Sequence, residues 1–156
     1  GASYETSVEC DIDAYIPSSY IKNESQKQDI YKRISTIETE DEYMDMQDEL
    51  MDRFGDIPRS VDNLLKIAEL RSLAHRAFVT EVFVNRQEVR LTMYQKAELQ
   101  VAAIPELIGK YKGDLKLVPG EAPVFHFIDR KHKNQDSLPM MEKAKELAKA
   151  LEEIRA

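Results

Sequence analysis

Carboxylates are the residues of this chain best placed to do chemistry. From Glu38 to Asp56 the sequence reads ETEDEYMDMQDELMDRFGD, nine carboxylates against the single base Arg53. Clustered carboxylates serve either acid/base catalysis, where burial drives a pair's pKa values apart, or docking on a basic partner. Nothing near these residues in sequence supplies the burial that catalysis needs, so docking is the favoured use. Other reactive types are sparse. His75, His126 and His132 stand apart on a helix, a strand and a loop, without zinc-like spacing. Cys10 falls on the apolar side of an alternating segment and is expected to be a buried, inert thiol. Ser18, Ser19 and Ser137 sit in turn or cap contexts. No GxxxxGK[ST], GxGxxG, HExxH or CxxC occurs, and Gly109, Gly113 and Gly120 lack the lysine and helix start of a phosphate cradle. The expectation is a chain with no catalytic residues, no cofactor and no metal.

The acidic run is a helix with two faces. At about 100° per residue, Met46, Leu50 and Phe54 fall within about 60° of Tyr43 and form an apolar stripe. Asp41, Asp45, Asp48, Glu49 and Asp52 fall between about 140° and 240°, opposite that stripe. The spacing sets like charges one turn apart at Asp41/Asp45, Asp45/Glu49 and Asp48/Asp52, each costing about 0.2–0.5 kcal/mol. A solvated face is the common fate of such a run. Yet the whole chain carries −7 and residues 38–56 carry −8, leaving +1 for the rest. Charge of one sign concentrated on one helix is what steers and locks a basic partner. Glu49 and Asp52, near the helix end, could together reach an arginine pair on such a partner in bidentate geometry. Helix C-termini disfavour acids, which leaves room for a functional reason for these two.

Basic residues cluster loosely at Lys110, Lys112 and Lys116 and again at Arg130, Lys131 and Lys133. With Tyr111, Phe125 and Phe127 nearby they invite a single-strand nucleic-acid reading, bases stacked on rings. Alternation instead puts Phe125 and Phe127 on one strand face, where a core is expected. The net charge of −7 also argues against a duplex-binding surface. No direct nucleic-acid partner is expected, and a nucleic-acid-binding accessory domain is the alternative function.

These residues need a scaffold, and the composition supplies one. The chain has 156 residues, 42% hydrophobic and 33% charged, which fits one domain with room for two sub-lobes. No stretch approaches the roughly 20 apolar residues of a membrane span, and a single cysteine suits a reducing cytoplasm. Gly1-Ala2-Ser3 lacks the features of a signal peptide and reads as a cloning scar, with residues 1–7 as scar and linker and 8–156 as the domain. Val8 to Ala14 alternates as a half-buried strand. A helix follows over Gln28 to Ile37. The next is capped by Thr39, with Glu42 completing a capping box, and stops at Phe54 before Gly55. Pro58 opens a third amphipathic helix running to Ala77. Phe78 to Val84 and Glu88 to Met93 form a hairpin, and Glu98 to Lys110 a short helix interrupted or begun by Pro105. Leu115 to Val118 and Val124 to Ile128 are strands, and Ser137 caps a last helix running through Ile154. The fold class is α+β: three N-terminal helices packed with a small mixed or antiparallel sheet and a C-terminal helix.

At particular residues the sequence becomes recognisable. Asp13-Ala14-Tyr15-Ile16-Pro17, Tyr20-Ile21 and Asp29-Ile30-Tyr31-Lys32-Arg33-Ile34 resemble the opening of one bacterial domain. Glu49-Leu50-Met51-Asp52-Arg53-Phe54-Gly55-Asp56-Ile57-Pro58, followed by Leu64-Leu65 and Ala68-Glu69-Leu70-Arg71, resembles its most distinctive stretch. The family is the C-terminal domain of the transcription-repair coupling factor, Mfd. The resemblance spans residues 8 to 156 and is specific from Asp13 to Leu73. It implies a domain that follows a superfamily 2, ATP-dependent DNA translocase, which dislodges stalled RNA polymerase and recruits excision-repair proteins. The domain itself is implied to be non-catalytic and autoinhibitory. It would dock on the UvrB-like N-terminal module of the same chain, mask the UvrA-binding surface and restrain the motor. Glu49 and Asp52 match the family's acidic contacts to arginines of that module, and Arg53 is the third contact at the rim. Asp45 and Asp48 complete the expected interface. UvrA and RNA polymerase are then partners only through the parent, and no membrane is involved.

Overall fold

The computed structural model describes residues 4–156. Its elements run β1 (Ser7–Cys10), α1 (Glu24–Ser35), α2 (Glu40–Phe54), α3 (Arg59–Arg76), β2 (Val79–Val84), β3 (Glu88–Met93), α4 (Ala103–Gly109), β4 (Leu115–Val118), β5 (Val124–Ile128) and α5 (Leu138–Glu153). The α+β class is as expected. The described chain divides into two compact units, residues 12–72 and residues 4–11 with 73–156.

The first unit is helical, and local signals set its boundaries. Asn23 caps α1, its Oδ1 accepting the Gln26 N–H at 2.9 Å. The helix therefore starts four residues before the Gln28 expected, because its first turn is polar and carries no apolar periodicity. Thr39 Oγ1 accepts the Glu42 N–H at 3.1 Å, and the two side chains meet at 3.1 Å, the capping box expected for α2. Gly55 ends that helix at φ +89°, its N–H donating to the Met51 carbonyl at 3.1 Å. The Pro58 carbonyl then accepts the N–H groups of Val61 and Asp62, starting α3. Ile21 and Ile30, Ile34, Leu50 and Leu65 from α1, α2 and α3 are at most 2% exposed and form the centre of this core. Tyr20 closes one side, its hydroxyl 3.1 Å from the Leu50 carbonyl and 2.9 Å from that of Gly55.

The second unit is a five-stranded mixed sheet in the order β1-β2-β3-β5-β4. Only β1 and β2 are parallel; the other neighbours are antiparallel. Helix α5 packs on β2 and β3, burying Met141, Ala144, Leu147 and Leu151. Phe125 and Phe127 face the core at 2% and 6% exposure, as their alternation with His126 implies. Strand β1 stops at Cys10, short of the expected Ala14, because its partner strand ends there: Cys10 pairs with Val84, the last residue of β2. Cys10 is half-buried rather than buried. Phe78 is no strand residue but a left-handed turn at φ 64°, its carbonyl accepting the Tyr94 N–H at 2.7 Å. Helix α4 is shorter than the expected 98–110, with Pro105 inside its first turn. Ser137 does not cap α5: its hydroxyl donates to Asp11, and Asp136 Oδ1 takes the Leu138 N–H at 2.9 Å instead. Of the seven residues assigned to scar and linker, Gly1–Ser3 lie outside the described residues. Beyond them Tyr4 donates its hydroxyl to the His75 carbonyl, and Thr6 its own to Val79 O at 2.6 Å. No helix among the described residues is long and apolar enough to cross a membrane.

Candidate functional site

Helix α2 buries Met46 and Leu50 and leaves Asp41, Asp45, Asp48 and Asp52 exposed, as the wheel requires. Glu49 is different. It is half-buried, and α1 brings Arg33 across to it: Nη1 lies 2.6 Å from Oε2 and Nη2 2.6 Å from Oε1, a two-pronged pair. Arg53, one turn along α2, adds a third bond to Oε2 at 2.8 Å. Its guanidinium also lies 4.8 Å from the centre of the Phe54 ring. Hydrogen bonds from Arg33 first, then Arg53, lower the Glu49 pKa from 4.5 to about 2. The same pairing raises the Arg33 pKa. Glu49 is therefore a fixed charge at neutral pH, and any arginine of a partner must join or replace Arg53 to reach it.

Asp45, Asp48 and Asp52 carry no ion pair among the described residues. Asp48, Glu49, Met51 and Asp52 line one shallow surface depression. Met51 and Met44 are 54% and 52% exposed, two of the few large apolar side chains left in water. Their spacing of seven puts them on one flank, at about 80–100° on the wheel, between the apolar stripe and the acids. The surface of α2 thus reads across as an exposed methionine pair, a row of unpaired aspartates, and the Arg33–Glu49–Arg53 cluster. Methionine suits this place because its unbranched, polarisable chain adapts to varied partners, and interfaces are enriched in it.

Each expected interface residue has a definite place. Asp45, Asp48 and Asp52 stand open on one ridge, while Glu49 and Arg53 are engaged within their own fold. Sequence reasoning missed Arg33 and the two methionines. For Arg33 a signal existed: it lies in the basic last turn of α1, which the acidic α2 follows almost at once. For the methionines the signal was position on the wheel, apolar but off the core stripe.

The remaining candidate residues are satisfied locally. His126 Nε2 lies 2.7 Å from Glu88 Oε2, His132 Nδ1 3.1 Å from Asp129 Oδ2, and His75 Nδ1 3.0 Å from Thr6 Oγ1. Among the described residues no three His, Cys, Asp or Glu side chains are grouped to hold a metal ion.

Residues 10–104, more than half of the chain, match the family model of the TRCF domain. The transcription-repair-coupling factor of Bacillus subtilis (strain 168) is 37% identical over 98 residues, 63% of this chain and 8% of that protein. That of Staphylococcus haemolyticus (strain JCSC1435) is 38% identical over 97 residues, 62% of this chain and 8% of that protein. The chain spans less than a tenth of the length of these curated relatives. A crystal structure of the C-terminal domain of a transcription-repair coupling factor aligns at a TM-score of 0.78 and 26% identity, covering 97% of this chain and 94% of that one.

Proposed function

The chain belongs to the TRCF domain family, and on that premise we propose that it is a non-catalytic, autoinhibitory docking domain of a transcription-coupled repair translocase. Its partner in this reading is the UvrB-like N-terminal module of the parent chain. Docking covers the surface that recruits UvrA and restrains the motor, so UvrA and RNA polymerase are met only through the parent. The observation that carries the reading is the ridge of α2: Asp48 and Asp52 unpaired beside exposed Met51, with Glu49 held rigid by Arg33 and Arg53. Short aspartates on a fixed helix face lose less side-chain entropy than longer acids on meeting arginines, and the methionine flank adds an apolar anchor.

The energetic demand is small. Keeping the released state near about 1% takes an intramolecular contact worth about 2.7 kcal/mol. Two charge-assisted pairs and one methionine flank meet that, because tethering in one chain raises the effective concentration to about the millimolar range. Polymerase or DNA engagement then needs only a comparable preference for the released arrangement.

The test is charge reversal in the full-length parent at residues that serve no other bond. Asp48→Arg with Asp52→Arg is expected to raise basal ATPase and UvrA binding while leaving the domain's thermal unfolding unchanged. Both activities staying at the wild-type level would remove α2 from the clamp. Reversing Glu49 is a poorer probe, because an arginine there would set a third cation against Arg33 and Arg53.

A further inference from the structure

The basic loop at Arg130–Lys133 has no part in the docking account, yet the fold builds it into one end of the sheet. The β2–β3 hairpin turns at residues 85–87, β5 finishes with Ile128 opposite Glu88, and β4 starts with Leu115 opposite Phe127. Three connections therefore meet at the same end. Two of them are stapled together. Gln87 Nε2 donates to the carbonyls of Asp129 at 2.8 Å and His132 at 2.9 Å, and Gln87 Oε1 accepts the Asn134 N–H at 3.2 Å. Asn134 Nδ2 returns a bond to the Arg86 carbonyl at 2.7 Å. Buried Asp129 braces the loop from inside, accepting the N–H groups of Lys131 and His132 at 3.0 and 3.2 Å. The third connection joins through Asp114, whose carbonyl accepts the Ile128 N–H at 2.9 Å and whose carboxylate pairs with Arg130 at 3.4 Å.

What these braced turns display is mostly positive. Arg86, Lys131 and Lys133 are exposed and carry no ion pair among the described residues, and the same holds for Lys110 and Lys112 on the third connection. Of the carboxylates of this end, Asp114 pairs with Arg130 and Glu88 with Arg90, Asp129 is buried against its own loop, and only Asp136 is exposed without a cation, its Oδ1 accepting the Leu138 N–H. None of the exposed large hydrophobic side chains lies on these turns. A protein-docking patch centres on an aromatic, methionine or arginine anchor and is depleted in lysine. Here four of the five open cations are lysines and no exposed aromatic or methionine lies among them, which suits a repeating, hydrated anion instead. Single-strand binding would need exposed rings for stacking, but Phe125 and Phe127 are in the core and Tyr111 is half-buried against Phe127 with its hydroxyl on Glu146 at 2.6 Å. We infer that this end of the sheet binds the phosphate backbone of duplex DNA without reading its sequence. The net charge of −7 conceals the site, because residues 38–56 alone carry −8.

Fluorescence anisotropy of a labelled duplex of about 20 base pairs, titrated with this chain between 50 and 200 mM KCl, tests it. With five phosphate contacts, binding falls with a log–log salt slope of about −4.5, an about 500-fold loss over that range. Arg86→Ala with Lys131→Ala and Lys133→Ala leaves two contacts, and the slope drops to about −1.8, an about 12-fold loss. None of these three side chains braces the loops, so circular dichroism should be unchanged. Lys22→Ala with Lys149→Ala, removing two exposed cations elsewhere, should leave the slope as it is. No binding at about 100 μM chain and 50 mM KCl, the weak limit of non-specific DNA affinity, overturns the proposal. So does a slope that the triple variant fails to move, or low-salt self-association of the chain in place of DNA binding.

Discussion

Glu49 is the residue on which the surface of α2 is organised. Its carboxylate is 30% exposed and Arg33 is 41% exposed, so the pair is screened, and its net contribution is set at about 1 kcal/mol. Because Glu49 titrates near 2 in the folded chain and 4.5 otherwise, its stabilisation is complete above pH 4.5 and fades as pH falls toward 2. Glu49→Gln should therefore lower stability by about 1 kcal/mol at pH 7. The gap to the wild type should close between pH 4.5 and 2 in urea melts. A gap that stays constant through that window would mean that the charge of Glu49 is not what holds Arg33. Arg33→Lys should behave much like Glu49→Gln, since an ammonium cannot bond both oxygens at once. The exposure of Asp45, Asp48 and Asp52 was legible from the wheel alone, because a helix surface is fixed by spacing within about four residues. The satisfaction of Glu49 was not. Its main partner lies sixteen residues away on another helix, and only the packing of α1 against α2 brings the two together.

Helix α2 had its boundaries written locally. Thr39→Ala, which removes the acceptor for the Glu42 N–H, should destabilise the chain by about 1 kcal/mol in chemical denaturation. Gly55→Ala should cost about 1–2 kcal/mol, purely from backbone strain at φ +89°, since a Cβ there meets nothing within 4 Å. If Gly55→Ala is neutral, the left-handed stop is not what ends the helix. Strands β4 and β5 were equally legible, bounded by turn residues and clear alternation. The elements that departed from expectation did so for separate reasons. Strand β1 ends where β2 no longer offers a partner, and Phe78 leaves the strand because it takes φ 64° in the turn closing α3, its N–H on the His75 carbonyl at 3.4 Å. Residues 24–27 of α1 carry no apolar periodicity, so only the Asn23 cap announces their helix.

The whole chain distributes its charge unequally. Residues 12–72 hold fourteen carboxylates against eight bases, a net −6, and the remainder of the chain nets −1. Composition averaged over 156 residues blurred this, which is why the acidic ridge and the basic clusters at 110–116 and 130–133 stood out only segment by segment, and Arg86, on another turn, was not grouped with them. A docking function centred on exposed aspartates must weaken as salt rises, since the Debye length shrinks from about 30 Å at 0.01 M to about 10 Å at 0.1 M. The most direct test is the affinity of this chain, in trans, for the isolated UvrB-like module at low and high salt, with wild type and Asp52→Arg side by side. The account predicts binding that weakens with salt and falls about tenfold or more, at least about 1.4 kcal/mol, in a variant that melts at the wild-type temperature. Equal affinity of the two proteins at low salt would contradict it.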